Sequence, residues 1–467
     1  MYITTTIPYV NARPHLGHAL ELVQADALAR HHRRRGEPVR FQTGTDDNSL
    51  KNVLAAEAEG VPVRELVDRN AAAFEGLRGT LDLSFDSFIR TSSHPGHRAG
   101  VERIWRATAH DLYQRHYEGL YCVGCEQFYP EGPCPDGHEA PLQLVSERNW
   151  FFRLSRYQDA LLDLIRSGRL RIEPAARRNE VLAFVEAGLD DLSVSRSAAR
   201  ARGWGIPVPD DPGQVVYVWW DALANYVTAL EGGDYDRWWV REPGKVHLMG
   251  KGVIRFHAVY WPAMLLSAGE PLPTAIFVHD YLTADGRKIS KSSGNAADPV
   301  ALVDAYGVDA VRWWLLREVP RVGDADFTEA RLIARSDEDL ANGLGNLVNR
   351  VATMVHRFLD GHVPPAGEPL AEVSGTVHEA LEAFDFRRAA QGVWEIVEQA
   401  NKYVERTRPW QQDPRGREAS LGTLVHACRE LAVQLEPFLP TAAVRVAAAV
   451  AGERLPRPRP LFRRLAG

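Results

Sequence analysis

The 467-residue sequence predicts an α/β fold: a parallel, doubly wound sheet, split by a small cysteine-bearing insertion and followed by an all-helical bundle. Three observations carry that expectation. Strand-like and helical segments alternate near the start. Cys, Gly and Pro concentrate around residues 121–139. From about residue 331 the apolar positions keep a helical period.

Residues 2–9 form a β-branched run suited to a buried strand. Asn11 and Pro14 then open a helical segment that closes near Gly36, and residues 39–45 predict a second strand ending in the carboxylate pair Asp46 and Asp47. Strand, helix, strand in that order predicts a parallel sheet with ligands at the carboxyl ends of its strands. Strand-like runs return at residues 215–220, 246–249 and 275–278, so the sheet is expected to resume beyond the insertion. Leu344, Leu347, Val348, Val351 and Met354 follow an i, i+3, i+4 rhythm, and the Pro/Arg-rich residues 455–464 read as a closing strap.

The totals bound the function. The length exceeds one ordinary core, so two to four structural units are expected. With 45% hydrophobic and 25% charged residues the composition is globular. No run of about 18 apolar residues and no signal-peptide pattern occur, so the expectation is a cytoplasmic protein with no membrane partner. The sequence leaves the oligomeric state open, with a monomer slightly favoured. A net charge of −6 excludes a general attraction to nucleic acid and leaves room for a local basic face. Only six cations are lysine (Lys51, Lys245, Lys251, Lys288, Lys291 and Lys402), so a Lys-x-x-Lys pair stands out in an arginine-rich chain.

Two motifs suggest phosphate chemistry. His15-Leu16-Gly17-His18 falls where the first strand turns into the first helix. A helix N-terminus favours anions, Gly17 lets a ligand approach the backbone, and two imidazoles can donate to phosphates during a displacement. Alone, the pair would equally be two solvated histidines. Lys288-Ile289-Ser290-Lys291-Ser292 offers two ammonium charges to a pyrophosphate leaving group, and alone it would be a surface loop. A third motif suggests metal. Cys122, Cys125, Cys134 and His138 form a Cys₃His set with zinc-like spacing, which in a reducing compartment favours Zn²⁺ over disulfides.

HLGH after the first strand, with KISKS some 270 residues later, resembles the paired signature of class I aminoacyl-tRNA synthetases. Ile7-Pro8-Tyr9-Val10-Asn11, Gly44-Thr45-Asp46, Trp219-Trp220-Asp221-Ala222 and Arg255-Phe256-His257 narrow the resemblance to methionyl-tRNA synthetases, over nearly the whole chain. The resemblance implies a Rossmann-type catalytic domain in two halves (1–111 and 181–285) around a zinc-knuckle connective insertion (112–180). A KISKS junction (286–330) and an α-helical anticodon-binding-type domain (331–467) would follow. It implies His15, His18, Lys288 and Lys291 as catalytic residues, and Gly17, Glu21, Gly250, Lys251, Ser290 and Ser292 as ATP contacts with Mg²⁺. Asp46 would hold the amino acid's ammonium group. Ile7, Tyr9, Trp219, Ala222, Leu223, Tyr226, Val253 and His257 would wall a pocket for methionine or a close relative, whose thioether suits aromatic neighbours. Asn346, Arg350 and Trp410 would read the anticodon of tRNA(Met). The zinc knuckle of this family lies where Cys122, Cys125, Cys134 and His138 stand, though the family more often spaces its second pair C-x2-H.

Two stretches depart from that pattern. The family's Glu-His-Gly after Asp46 is Asp47-Asn48-Ser49 here, and its Gly-Lys-Asp is Gly250-Lys251-Gly252. Both concern the active site, so a second reading stays open: an amino-acid-activating enzyme of specialised metabolism that passes its acyl group to a small amine or hydroxylamine, as in N–N bond-forming pathways.

Overall fold

The computed structural model describes residues 1–122, 127–129, 134, 142–284, 286–289, 297–370 and 374–465. The chain divides into two compact units: Met1–Pro14, Pro38–Gly76 and Phe85–His279 in the first; His15–Glu37, Leu77–Ser84 and Asp280–Gly467 in the second.

The first unit is built on a six-stranded sheet in the order Ser87–Arg90, Arg40–Thr45, Tyr2–Thr5, Lys245–Gly250, Ala275–His279, Arg171–Glu173, with every pairing parallel. The two central strands are almost wholly buried, as parallel strands covered on both faces must be. The sheet extends from Tyr2–Thr5 in both directions, which places a topological switch point at that strand's carboxyl end. The strand stops at Thr5, short of the expected residue 9, and Pro8, without an N–H, could not have continued the ladder. Tyr9 still bridges Asp46, and the Pro8 carbonyl accepts from the Asp46 amide at 2.9 Å. Gly44 is required here. A Cβ at this position would lie 2.1 Å from the Ile89 carbonyl oxygen on the neighbouring strand.

The insertion is an antiparallel sheet in which Leu112–Cys122 pairs along its length with Gln143–Phe152, flanked by Gln127–Tyr129 and Leu192–Ser193. The strand Arg171–Glu173 returns to the parallel sheet as its edge, so the insertion expected at 112–180 does not coincide with this sheet. A second correction concerns residues 215–220. The strand there is Asp211–Val216, in a separate three-stranded sheet, and Val218–Thr228 is a helix. A short apolar run does not separate strand from buried helix, and this one continues to Val227.

The second unit is mainly helical; besides Leu16–Arg34, its helices after residue 280 begin at Pro299, ahead of the expected 331. Its centre is an ion pair between fully buried side chains. Asp26, on the helix Leu16–Arg34, accepts from Arg312 Nη2 at 2.8 Å, and also from Arg30 Nε and from the amide and hydroxyl of Ser84. Arg312, on Val308–Arg317, spends its other donors on the carbonyls of Leu81 (2.9 Å) and Phe438 (2.8 Å). Four chain segments therefore meet at one guanidinium, whose planar fork suits several acceptors. Among the described residues no helix is long and apolar enough to cross a membrane.

Removing one partner of a buried, hydrogen-bonded ion pair leaves an uncompensated charge. Asp26→Ala is expected to lower the unfolding free energy by about 3–5 kcal/mol, measured by urea denaturation. A loss below about 1 kcal/mol would remove the pair from its central place.

Candidate active site

In the first unit the residues after the strand Tyr2–Thr5 meet those after Arg40–Thr45. Asp46 is buried, and one carboxylate oxygen accepts from the Asn48 amide at 3.1 Å. Asn52 Nδ2 donates to the carbonyls of Asp46 (3.1 Å) and Asp47 (2.9 Å), which fixes the turn. Beside it stands an aromatic wall. Trp219 stacks on Phe256 with centroids 3.7 Å apart, and presents its edges to Tyr9 (6.1 Å) and His257 (6.2 Å). The ammonium of Lys51 lies 4.9 Å over the Tyr9 ring. Tyr9, Trp219 and Val253 are partly exposed, whereas Tyr226, Leu223 and His257 are buried. Ile7 and Ala222 share a small apolar cluster with Ile89.

His257 is locked at both ring nitrogens. Nδ1 lies 2.9 Å from the Val253 carbonyl, which can only accept, so Nδ1 carries the proton and Nε2 accepts from the Tyr226 hydroxyl at 2.7 Å. The other face of Tyr226 stacks on His247 at 4.2 Å, whose Nδ1 lies 2.6 Å from the Thr4 hydroxyl. Burial, with His257 and Lys245 nearby, holds the His247 imidazole well below its ordinary pKa, so it stays neutral. Gly250 ends the strand Lys245–Gly250, and Lys251 opens the short turn that carries Val253.

In the second unit His15 is the N-cap of the helix Leu16–Arg34. Its Nδ1 accepts from the Gly17 amide at 3.1 Å, and its own amide donates to His18 Nδ1 at 3.1 Å, a reciprocal cap made with two imidazoles. An Nδ1 that accepts carries no proton, so each neutral ring places its N–H on Nε2. The rings lie 3.8 Å apart. Glu21, one turn on, is buried. The Leu16 amide donates to the Ala297 carbonyl at 2.9 Å, which ties the chain leaving the KISKS segment to the start of this helix. The backbone of Lys288 pairs with Leu282–Ala284 and Ile289 is buried, while Ser290, Lys291 and Ser292 lie outside the described residues.

Of the four metal candidates, Cys122 and Cys134 are buried together against Leu142 and form no disulfide; Cys125 and His138 lie outside the described residues. In the helical part Asn346 and Trp410 are exposed and Arg350 is half-buried. Asn346 and Arg350 lie on the helix Asn346–Leu359. The turn Pro409–Gln411 that carries Trp410 is fastened to the far end of that helix by Arg417. Its guanidinium stacks on Phe358 at 4.3 Å and donates to the Pro409 and Gln412 carbonyls.

The family described as class I tRNA synthetases (M) matches residues 1–143 and 137–352, and the anticodon-binding domain of tRNA ligases matches 369–453. The chain is 42% identical over 477 residues to the methionine–tRNA ligase of Mycobacterium bovis, covering 95% of this chain and 91% of that one. It is 39% identical over 511 residues to that of Brucella suis, covering 99% and 97%. The chain belongs to the class I methionyl-tRNA synthetase family. Its structure is similar to that of Mycobacterium tuberculosis methionyl-tRNA synthetase bound by methionyl-adenylate, with TM-score 0.91, 38% identity and 99% of each chain covered.

Within this synthetase family fold, the departure at Asp47 is absorbed structurally. Asp47 is fully buried, and its carboxylate accepts from Thr45, Ser92 and Arg90. Burial pushes its pKa up, and those three partners hold it back. Asn48 instead faces a network that the sequence reading missed. Asn48 Nδ2 donates to Asp221 Oδ2 at 2.7 Å; His97 Nε2 lies 2.5 Å from Asp221 Oδ1, and His97 Nδ1 lies 2.6 Å from the Thr228 hydroxyl. The signal was present in the sequence: Asp221 is the only charged residue in the mainly apolar helix Val218–Thr228, and a carboxylate in such a stretch requires buried partners.

Both arms of this network are testable by urea denaturation. His97→Ala strips a buried carboxylate of its closest partner and is expected to cost about 3 kcal/mol, whereas Asn48→Ala should cost about 1 kcal/mol. Equal effects would contradict His97 as the main support of Asp221.

Proposed function

We propose that this chain is a methionine–tRNA ligase, which activates methionine with ATP to methionyl-adenylate and transfers the methionyl group to tRNA(Met). The observation that carries this reading is the buried Asp46 carboxylate beside the aromatic wall of Tyr9, Trp219 and His257, in a chain similar end to end to a synthetase bound by methionyl-adenylate.

In this scheme Asp46 pairs with the ammonium group, and Ile7, Ala222, Leu223, Tyr226 and Val253 complete the pocket around the thioether. A hydroxyl–imidazole pair with a fixed tautomer holds the pocket's shape. The methionine carboxylate attacks the α-phosphorus of ATP, a new P–O bond forms, and pyrophosphate leaves with the electrons of the broken one. His15 and His18 donate from Nε2, and Lys288 and Lys291 supply charge to the departing oxygens. Gly17, Glu21, Gly250, Lys251, Ser290 and Ser292 contact the nucleotide. Mg²⁺, when bound with ATP, spreads the triphosphate charge. A terminal ribose hydroxyl of tRNA then attacks the acyl carbon and AMP leaves. Asn346, Arg350 and Trp410 recognise the anticodon, with Trp410 offering an exposed ring for stacking.

Cys122, Cys125, Cys134 and His138 would hold a structural Zn²⁺. Two buried thiols in one cluster without a disulfide fit a thiolate-rich donor set. The small-acceptor reading rested on Asp47-Asn48-Ser49 and Gly252. The hydrogen bonds of Asp47 and Asn48 place both in the framework behind Asp46, which weakens that ground.

Separating the half-reactions tests the function. Lys291→Ala should slow methionine-dependent ATP–pyrophosphate exchange about 100-fold. Trp410→Ala should cost tRNA charging about 1–3 kcal/mol, measured as kcat/KM for tRNA. Robust exchange with no charging of tRNA by the wild-type protein would overturn the ligase reading in favour of a small acceptor.

Elemental analysis tests the metal: about one Zn per chain is expected, and Cys125→Ser should release it and lower the melting temperature, because a structural site contributes its binding energy to folding. A metal-free protein with unchanged melting would refute the site.

A further inference from the structure

The residues 454–464 carry five arginines and no acid, in a chain whose net charge is −6. Their path is set by contacts at both ends. The Leu455 amide donates to the Gly361 carbonyl at 2.8 Å, and His356 Nε2 lies 3.0 Å from the carbonyls of Leu455 and Pro456, at the carboxyl end of the helix Asn346–Leu359. At the other end of that helix Phe462 packs so closely on Gly345 that a Cβ there would lie 3.0 Å from its ring. Arg464 donates to Asn342 at 2.8 Å, and the Leu465 amide to Asp337 at 2.7 Å. The strap therefore runs antiparallel along the helix. The seven steps from Leu455 to Phe462 span about 22 Å if extended. Gly345 to His356 spans about 17 Å of helix. Pro456, Pro458 and Pro460 keep such a segment extended and remove three of its N–H donors.

The strap's flank follows from the helical period. At about 100° per residue, the contacted positions Gly345 and His356, at the two ends of the α-helix, fall within a sector of roughly 20°. Asn346, Thr353, Arg357 and Arg350 fall in the next sector, of which all are exposed except the half-buried Arg350. The strap thus edges the strip that bears Asn346 and Arg350. Of its exposed arginines, Arg463 and Arg464 are engaged with Ala305 and Asn342, whereas Arg457 and Arg459 have no hydrogen bond or ion pair among the described residues.

We propose that this strap is a phosphate track, in which Arg457 and Arg459 bind the RNA backbone next to the bases read by Asn346, Arg350 and Trp410. The proposal rests on the tRNA-ligase reading and extends it from base recognition to backbone binding. A fixed, proline-stiffened strand spends little entropy when it meets its ligand, and guanidinium groups match phosphate bidentately. The chain as a whole is acidic, so a local cationic edge beside the reading face would also orient an approaching polyanion.

The test is methionylation of tRNA(Met) by the full chain between about 0.05 and 0.2 M KCl, where phosphate contacts make affinity steeply salt-dependent. Arg457→Gln/Arg459→Gln is expected to raise KM for tRNA about tenfold near the upper salt, and to make the slope of log KM against log salt shallower by about 1.5. Arg457→Lys/Arg459→Lys should restore most of the slope, which a merely structural role would not require. An unchanged KM and slope, with Trp410→Ala still impaired, would overturn the track and leave the ligase reading standing. Absence of charging by the wild-type protein would overturn both.

Discussion

The helix that presents His15 and His18 is anchored through Asp26, and Asp26 is held by Arg312. Both side chains are fully buried, so neither charge has water to fall back on, and the arrangement persists only with each polar atom partnered. Arg312 meets this condition by reaching carbonyls of residues 81 and 438 as well as the carboxylate, while Ser84 and Arg30 complete the Asp26 shell. A group with that many fixed partners has one workable geometry. In the proposed scheme the consequence reaches the chemistry, because the N-terminus of the same helix carries the two imidazoles, and its Leu16 amide holds the Ala297 carbonyl.

The proposed amino-acid pocket uses a different device. The position of Asp46 comes from a backbone bridge to Tyr9, an amide bond from Asn48 and the Asn52 side chain under the turn. Around it, neutral hydrogen bonds do the positioning. The His257 tautomer is fixed by a carbonyl on one side and a phenol on the other, and His247 is kept uncharged by burial. In the proposed scheme a pocket assembled this way offers aromatic surface and the Asp46 carboxylate, which suits an apolar amino acid bearing an ammonium group. The binding of its side chain then rests on shape and dispersion, terms that discriminate weakly between neighbours of similar size.

The sequence by itself determined the parallel sheet, the positions of its first two strands, the helical second half and the paired histidine and lysine motifs. These depend on local period and on short-range spacing, and both are properties of contiguous residues. It also carried the strap, since alternating prolines exclude helix and ladder alike. Only the tertiary structure decided what residues 215–220 do, because an apolar run reads the same in a strand and in a buried helix. It also decided where Asp47 and Asn48 point. Asp47 meets Arg90 and Ser92, and Asn48 meets Asp221, which is 173 residues away, so no local pattern encodes either contact. The same holds for His97, an unremarkable histidine in sequence that becomes the support of a buried carboxylate once the helices His97–Ala107 and Val218–Thr228 pack. Burial is a property of the assembled chain, and it is burial that turns these polar side chains from surface groups into obligatory partners.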